Sequence, residues 1–168
     1  MPGSGPHVSR NGKRDSPLEV LAVPLVDEEF LLVGAPGIAR TVSIERLSVE
    51  PANTLRALPL VAYADDLPVV RRYWRSEFGH RPANAVALIV PDLRGVLRAV
   101  EAGAGISVLP RYLAEPSLAS GRIVQLHQPG VSPLNTLYLA MSRGAPDNPA
   151  VIVVREQLRE AAKQWGGL

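Results

Sequence analysis

The chain has 168 residues, a length typical of about one domain. Its hydrophobic fraction of 46% and charged fraction of 20% are ordinary for a globular protein. The formal net charge is only +2 and no basic run is present, which argues against a nucleic-acid-binding arm. The absence of cysteine excludes disulfides, thiol nucleophiles and thiolate metal sites, and no apolar run approaches the roughly 18 residues needed to span a bilayer.

The first third of the chain predicts a leader followed by strands. Residues 1–16 lack the apolar core of a secretory signal, so we expect a disordered leader and a cytoplasmic protein with no membrane partner. Residues 18–25 and 29–35 are strand-like and are separated by the acidic pair Asp27 and Glu28. A short helix at 43–47 with Ser43 as its N-cap and a strand at 58–63 come next.

A longer amphipathic helix is predicted after the strand at 58–63. Its start is marked by Asp65, Asp66 and Pro68, because acidic residues suit a helix N-terminus and proline suits its first turn. The apolar face, which we expect in the core, is formed by Val70, Tyr73, Trp74 and Phe78. Gly79 is expected to end the helix.

The central stretch predicts a strand–helix–strand unit. Residues 85–90 form a continuous apolar run, which favours a strand buried on both faces. Asp92 occupies the N-cap position of a helix whose apolar stripe is formed by Leu93, Val96, Leu97 and Val100. A short strand follows at 106–109. This unit is a βαβ crossover, which predicts two parallel neighbouring strands and an α/β fold.

The last third predicts two helices, two strands and a connector. The first four are a helix at 111–119 broken at Pro116, a strand at 122–126, a turn-rich connector at 128–133 that is a candidate hinge, and a strand at 137–141. A final helix is capped by Asp147 and Asn148. We expect it to turn Val151, Val154 and Leu158 inward and Arg155, Arg159 and Lys163 outward.

The segment LRGVLRAVEAGAGISVLPRYLAE resembles the helix–glycine–strand signature of the effector-binding domain of LysR-type transcriptional regulators. Three further segments are similar to the same family: VLAVPLVDEEFLLVGAPGIA, SIERLSVEPANTLRALPLVAY and LYLAMSRGAPDNPAVIVVREQL. The resemblance covers residues 18–163. It implies a two-lobed, periplasmic-binding-protein-like (type 2) α/β domain, with a complete second lobe at 29–133 and a partial first lobe at 17–28 and 134–168.

The resemblance also implies partners. Members of the family carry a DNA-binding winged helix-turn-helix and a linker helix ahead of this region, and neither is recognisable here. We therefore expect a chain truncated at its N-terminus that meets DNA only through a domain missing from it. The family pairs its subunits, so a homodimer or higher homo-oligomer is expected, with the helix at 93–101 and the last helix as candidate contacts.

The expected ligand is a small-molecule inducer bound in the cleft between the lobes. Strand ends and helix starts line such clefts, and this places eight residues at the site: Ala64, Asp65, Asp66, Leu67, Pro68, Val90, Pro91 and Asp92. Tyr63 is a candidate wall. The three aspartates would repel an anion, which favours a neutral, hydroxylated or amine-bearing inducer; alternatively, they serve only as helix caps.

No catalytic constellation is recognisable, and we expect no enzyme, cofactor or metal site. His7, His80 and His127 lack an acid at metal-ligand spacing, and Ser107 is not in a G-x-S-x-G motif. The cluster of Arg71, Arg72 and Arg75 predicts either a phosphate contact or, more simply, a solvated helix surface. The alternatives that remain are a free-standing solute-binding protein of the same fold, a small α/β enzyme and a non-functional remnant.

Overall fold

The computed structural model describes residues 20–131, 133–142 and 148–165. The predicted leader at 1–16, with His7, and the predicted cap Asp147 lie outside the described residues. The strands are β1 (Val20–Gly34), β2 (Leu60–Ala62), β3 (Val86–Ile89), β4 (Ile106–Pro110), β5 (Val124–His127) and β6 (Leu134–Ser142). The helices are α1 (Pro36–Ala39), α2 (Ile44–Val49), α3 (Pro51–Leu55), α4 (Pro68–Phe78), α5 (Leu93–Glu101), α6 (Arg111–Ala119) and α7 (Pro149–Trp165).

Strand β1 is a single 15-residue strand, so the prediction of two strands separated by an acidic pair was wrong. Its first part pairs with β6, from Val20 opposite Ser142 to Glu29 opposite Leu134. Its second part, from Phe30, lies between β4 and β5, and all these pairings are antiparallel. The acidic residues do not interrupt β1 because they remain in the ladder and their carboxylates receive side-chain hydrogen bonds from β6.

The main sheet has the strand order β3-β2-β4-β1-β5, and β2 is parallel to both β3 and β4. The central βαβ unit is therefore parallel as predicted, but its two strands are not neighbours, because β2 lies between them. Leu60 of β2 pairs with Val86 on one side and Ile106 on the other. A crossover in the sequence fixes the direction of two strands and leaves open whether an earlier strand is inserted between them.

Helices cover both faces of the main sheet. On one face, α4 buries Tyr73 and Trp74 against Phe30 and Leu32 of β1. On the other face, α5 buries Val96 and Val100 in the cluster that contains the alternate β1 residues Leu31 and Val33. Alternate residues of this part of β1 face opposite sides of the sheet, and the residues on both sides are fully or almost fully buried. This part of β1 is therefore the centre of the core.

Strand β3 lies at the edge of the sheet, and the prediction that it is buried on both faces was wrong. Val86, Leu88 and Ile89 are 40%, 42% and 43% exposed. Among the described elements β3 pairs only with β2, so its outer backbone edge has no strand beside it. An apolar run cannot distinguish a central strand from an edge strand, because neighbours added in three dimensions decide the burial.

Two helices also differ from the predictions. Helix α6 continues through Pro116, since Ala114 and Ser117 are buried and this packing outweighs the cost of an internal proline, about 3 kcal/mol. On α7, Val154 and Leu158 are 57% and 40% exposed rather than turned into the core. They line an open apolar groove between α7 and β6, which no other described element covers.

A polar network around Glu101 joins α5, α6 and the start of β5. The Oε1 atom of Glu101 accepts from Ser117 Oγ at 2.5 Å and from Arg122 Nε at 2.9 Å, and Oε2 accepts from Arg98 Nη1 at 2.8 Å. The Glu101 side chain is 10% exposed. The hydrogen bond from Ser117, followed by those from Arg98 and Arg122, lowers the pKa of Glu101 from 4.5 to about 2 even though burial opposes this shift.

We expect Glu101→Gln to lower the free energy of unfolding by about 1–3 kcal/mol at pH 7, because charge-assisted bonds to a covered carboxylate are lost. Since the folded pKa is depressed, the stabilisation is complete above pH 4.5 and declines as the pH falls towards 2. Urea unfolding at pH 7 and pH 3 measures both effects. The matched control is Glu160→Gln, an exposed acid paired with Lys163, which should change stability by less than about 0.5 kcal/mol. Equal losses in the two variants, or a loss that does not shrink at pH 3, would contradict the assignment.

Candidate functional site

The carboxyl ends of the parallel strands meet at one edge of the main sheet. Strands β2 and β3 are adjacent there, and Val90 N–H donates to the Ala62 carbonyl at 2.8 Å, which holds the two following loops side by side. Phe30 lies opposite Pro110, so the junction between the two parts of β1 reaches the same edge. This is the edge where open α/β sheets place their ligands. We call it the carboxyl edge.

The structure brings the eight predicted site residues together at the carboxyl edge. They lie in two neighbouring segments, Ala64, Asp65, Asp66, Leu67 and Pro68 after β2, and Val90, Pro91 and Asp92 after β3. The three aspartates are exposed, as is Tyr63 at 43%. Their assignment to a ligand stays a prediction.

The turn before α4 has an unusual backbone. Leu67 is the only non-glycine residue with positive φ in the described part of the chain, at φ 53 and ψ 48. Its N–H donates to the Ala64 carbonyl at 3.0 Å, which closes a tight turn. The left-handed conformation costs roughly 1–2 kcal/mol for a residue with a side chain, and such strain concentrates at functional sites.

Asp92 caps a helix, whereas Asp65 and Asp66 do not. Asp92 Oδ1 accepts from Arg94 N–H at 2.8 Å, which confirms Asp92 as the N-cap of α5. The N-cap of α4 is Leu67, and no side chain caps that helix. The alternative in which Asp65 and Asp66 serve only as caps was therefore wrong. Neither carboxylate has a hydrogen bond or ion pair with another described residue, so both face solvent with their charge uncompensated.

A polar network that the sequence did not reveal lies beside this edge. The β1 residues Asp27 and Glu28 accept from Thr136 Oγ1 at 2.6 Å and from Asn135 Nδ2 at 3.4 Å. Asn135 in turn accepts from Arg72 of α4. The network therefore links β1, β6 and the first turns of α4 at the junction of the two β1 pairings. Its partners are about 60 to 110 residues apart in sequence, and no local pattern could have shown them.

Glu29 extends the network to α6. Arg111, the first residue of α6, donates to both Glu29 carboxylate oxygens, with Nη2 to Oε1 at 3.0 Å and Nε to Oε2. This bidentate hydrogen bonding to Glu29 is the main reason why the pKa of Arg111 is raised. The cation at the start of α6 is thus neutralised by Glu29 and is not available to pair with Asp65 or Asp66.

Tyr73 and His127 join α4 to the end of β5. The Tyr73 hydroxyl lies 2.9 Å from His127 Nδ1, and their rings are in edge-on contact. Burial raises the pKa of Tyr73 and lowers the pKa of His127, so at pH 7 the pair is a neutral hydrogen bond. His127 therefore has a hydrogen-bond partner at the edge of the core, and it lies just before the connector at 128–133.

The described residues do not form a catalytic or metal-binding constellation. No group of three or more histidine and acidic side chains could hold a metal in the part of the chain that the structure covers. Ser107 is buried within β4. His80 is exposed, and its ring Nδ1 lies 2.8 Å from the Arg81 carbonyl oxygen. These placements provide no activated nucleophile.

Another depression lies away from the carboxyl edge. It is bounded by α2 and α3, which connect the end of β1 to the start of β2 at the opposite edge of the sheet. Its polar side chains bond to near neighbours in sequence: Ser43 Oγ donates to Glu45 Oε2 at 3.4 Å, Asn53 Nδ2 donates to Glu50 Oε2 at 3.2 Å, and Thr54 Oγ1 donates to the Glu50 carbonyl at 2.9 Å. Because these groups are already satisfied, the carboxyl edge remains the better candidate site.

The sheet order, the helices on both faces and the long strand shared with β6 define an α/β domain with the periplasmic-binding-protein-like (type 2) fold. The chain belongs to the LysR substrate binding domain family, whose model matches residues 10–163. This family consists of domains of transcriptional regulators, not of enzymes. No helix in the described segments is both long and apolar enough to cross a membrane.

Three relatives illustrate the match. The HTH-type transcriptional regulator AbaB of Streptomyces antibioticus is 44% identical over 144 residues, which are 86% of this chain and 48% of that protein. The crystal structure of ArgP from Mycobacterium tuberculosis superposes with a TM-score of 0.73 at 22% identity, covering 88% of this chain and 48% of that one. Full-length LysG from Corynebacterium glutamicum with bound effector Arg gives a TM-score of 0.70 at 18% identity, with the same coverages of 88% and 48%. The chain thus spans about half the length of these relatives.

The capping assignment predicts different stabilities for the aspartate variants. Asp92→Ala should lower the free energy of unfolding by about 1 kcal/mol, because the cap of α5 is lost, while Asp92→Asn should retain most of the stability. Asp65→Ala should change it by less than about 0.5 kcal/mol, since its carboxylate has no partner. Urea titrations at pH 7 compare the three variants. A loss for Asp65→Ala equal to that for Asp92→Ala would contradict the assignment.

Proposed function

We propose that this chain is the inducer-sensing part of a LysR-type transcriptional regulator. The inducer binds at the carboxyl edge, between the main sheet and the limb formed by β6 and the first part of β1. The observation that carries this proposal is the pair of uncompensated carboxylates, Asp65 and Asp66, at the topological position where such sheets bind ligands. The residues proposed to line the site are Ala64, Asp65, Asp66, Leu67, Pro68, Val90, Pro91 and Asp92.

The proposed inducer is neutral, hydroxylated or amine-bearing. Backbone N–H groups at the starts of α4 and α5 would attract an anion, but Asp65, Asp66 and Asp92 offset that field. Arg111, the nearby cation at the start of α6, is already paired with Glu29. The LysG structure carries arginine as its effector, a cationic amino acid, which supports an amine-bearing ligand for this chain.

The proposed response passes through β1. A ligand at the carboxyl edge would contact the loop before α4, and α4 is joined to the β1–β6 limb by the hydrogen bond from Arg72 to Asn135. The limb and the main sheet share β1. A change in the angle between them would therefore move the limb as a unit relative to the main sheet. The lobes we propose are 29–133 for the second and 17–28 with 134–168 for the first.

The proposed assembly is a cytoplasmic homodimer or higher homo-oligomer that reaches DNA through a separate DNA-binding domain. Two apolar surfaces support self-association: the unpaired edge of β3, followed by α5, and the groove between α7 and β6. A catalytic role is not proposed, because the described residues offer no activated nucleophile and no metal-ligand set.

Ligand charge is tested by calorimetric titration with L-arginine, L-lysine and succinate. We expect the amines to bind and the dicarboxylate not to bind at this site. The Asp65→Asn/Asp66→Asn double variant should weaken amine binding by about tenfold or more, since charge-assisted bonds contribute roughly 1.5–3 kcal/mol. The control is Glu45→Gln on α2, at the opposite edge. Tight binding of succinate that depends on Asp65 and Asp66, or amine binding unchanged in the double variant, would overturn the proposal.

Self-association is tested by size-exclusion chromatography with light scattering. The wild-type chain should elute with a mass above the 18.0 kDa of one copy. Leu88→Lys, which places a charge on the β3 edge, should shift the mass towards one copy. Val49→Lys is the matched control, because Val49 is an exposed apolar residue on α2, away from both surfaces. A monodisperse wild-type monomer would contradict the assembly.

A further inference from the structure

Helix α4 carries an arginine face on the side opposite its buried face. Pro68, Arg71, Arg72, Arg75 and Ser76 follow one another at helical spacing and line a single surface depression. The buried face is formed by Val70, Tyr73 and Trp74. Arg71 and Arg72 are neighbours in sequence, and both contribute to this depression. We call the five residues the α4 arginine face.

The positive charge of this face is not neutralised by described residues. Arg71 Nη1 donates to the Asp66 backbone carbonyl at 3.0 Å, and Arg72 Nη1 donates to the side-chain amide oxygen of Asn135. Both acceptors are neutral, so they fix the guanidinium groups without compensating their charge. Arg75 has no hydrogen bond or ion pair with another described residue. Ser76 donates to Glu77 Oε1 at 2.8 Å, so its hydroxyl proton is committed to that carboxylate.

One donor on this face is buried without a partner. The Nε–H of Arg71 is shielded from solvent and has no hydrogen-bond acceptor among the described residues. Leaving a buried donor unsatisfied costs about 1–3 kcal/mol, and more when the group is charged. An oxyanion at the depression would supply a counter-charge for the three guanidinium groups, and Arg71 Nε would have to be uncovered to donate to it.

We propose that the α4 arginine face binds a small oxyanion, a phosphate or a carboxylate group. Arginine is well suited to this role because its planar fork matches both groups with paired N–H donors. Arg71 and Arg72 are held in place by Asp66 and Asn135, which reduces the entropy lost on binding. The site adjoins the proposed inducer site, with which it shares Pro68, and carries the opposite charge.

The size and surroundings of the face favour a small ligand over a macromolecule. The three arginines occupy two turns of one helix, and the sequence has acidic residues at Asp65 and Asp66 on one side and Glu77 on the other. A nucleic acid needs a longer basic track along its phosphates. An acidic protein partner needs an apolar centre, and Pro68 is the only apolar residue lining the depression.

Calorimetric titration in a buffer free of phosphate and carboxylate tests the proposal, with inorganic phosphate and succinate as the two probes. We expect one saturable site per chain for at least one probe, and the stronger probe identifies the source of the oxyanion. The Arg71→Gln/Arg75→Gln variant should weaken binding by about tenfold or more, equivalent to about 1.4 kcal/mol or more. The Arg56→Gln/Arg81→Gln control removes the same charge from exposed positions elsewhere and should change binding by less than about twofold.

Two further measurements keep the outcome decisive. Urea unfolding establishes that the double variants are folded, and Arg75→Gln alone, which breaks no described contact, should still weaken binding by about threefold or more. The absence of saturable binding to both probes would overturn the proposal. Equal weakening in the control variant would also overturn it, because it would show a diffuse effect of net charge. Amine binding at the carboxyl edge is measured separately, so failure of one site does not decide the other.

Discussion

The structure depends on one strand, β1, which pairs with two different sets of strands along its length. The second part of β1 is buried between β4 and β5, and its first part pairs with β6 outside the main sheet. The strand can continue through Asp27 and Glu28 because Thr136 and Asn135 satisfy their carboxylates across the ladder. Without those partners, two acidic residues would be partly buried and unpaired at the junction, which is costly.

The same junction organises the charges at the carboxyl edge. Glu29 neutralises Arg111, and Asn135 holds Arg72 through a neutral amide. The result is an uneven distribution, with uncompensated carboxylates at Asp65 and Asp66 and uncompensated guanidinium groups one and two turns into α4. Two surfaces of opposite charge therefore lie side by side at one helix start, where Arg71 donates to the Asp66 carbonyl, and they underlie the two ligand chemistries proposed for the domain.

Packing explains why some local patterns were reliable and others were not. The apolar faces of α4 and α5 lie in the core as their periodicity indicated, because each helix covers a sheet face made by β1 and its neighbours. The apolar faces of β3 and α7 are exposed instead. A pattern of apolar residues shows which face of an element can be buried, and the neighbouring elements decide whether it is.

The sequence by itself determined the α/β class, the family, the main helices and the Asp92 cap, because these depend on periodicity and on residues within one turn of each other. Only the tertiary structure decided that β1 is continuous, that β2 separates β3 from β4, and that Asp65 and Asp66 do not cap α4. It also decided the partners of Glu28, Glu29 and Arg72. Each of these features joins groups far apart in sequence or depends on a backbone angle, and local residue patterns do not encode such relations.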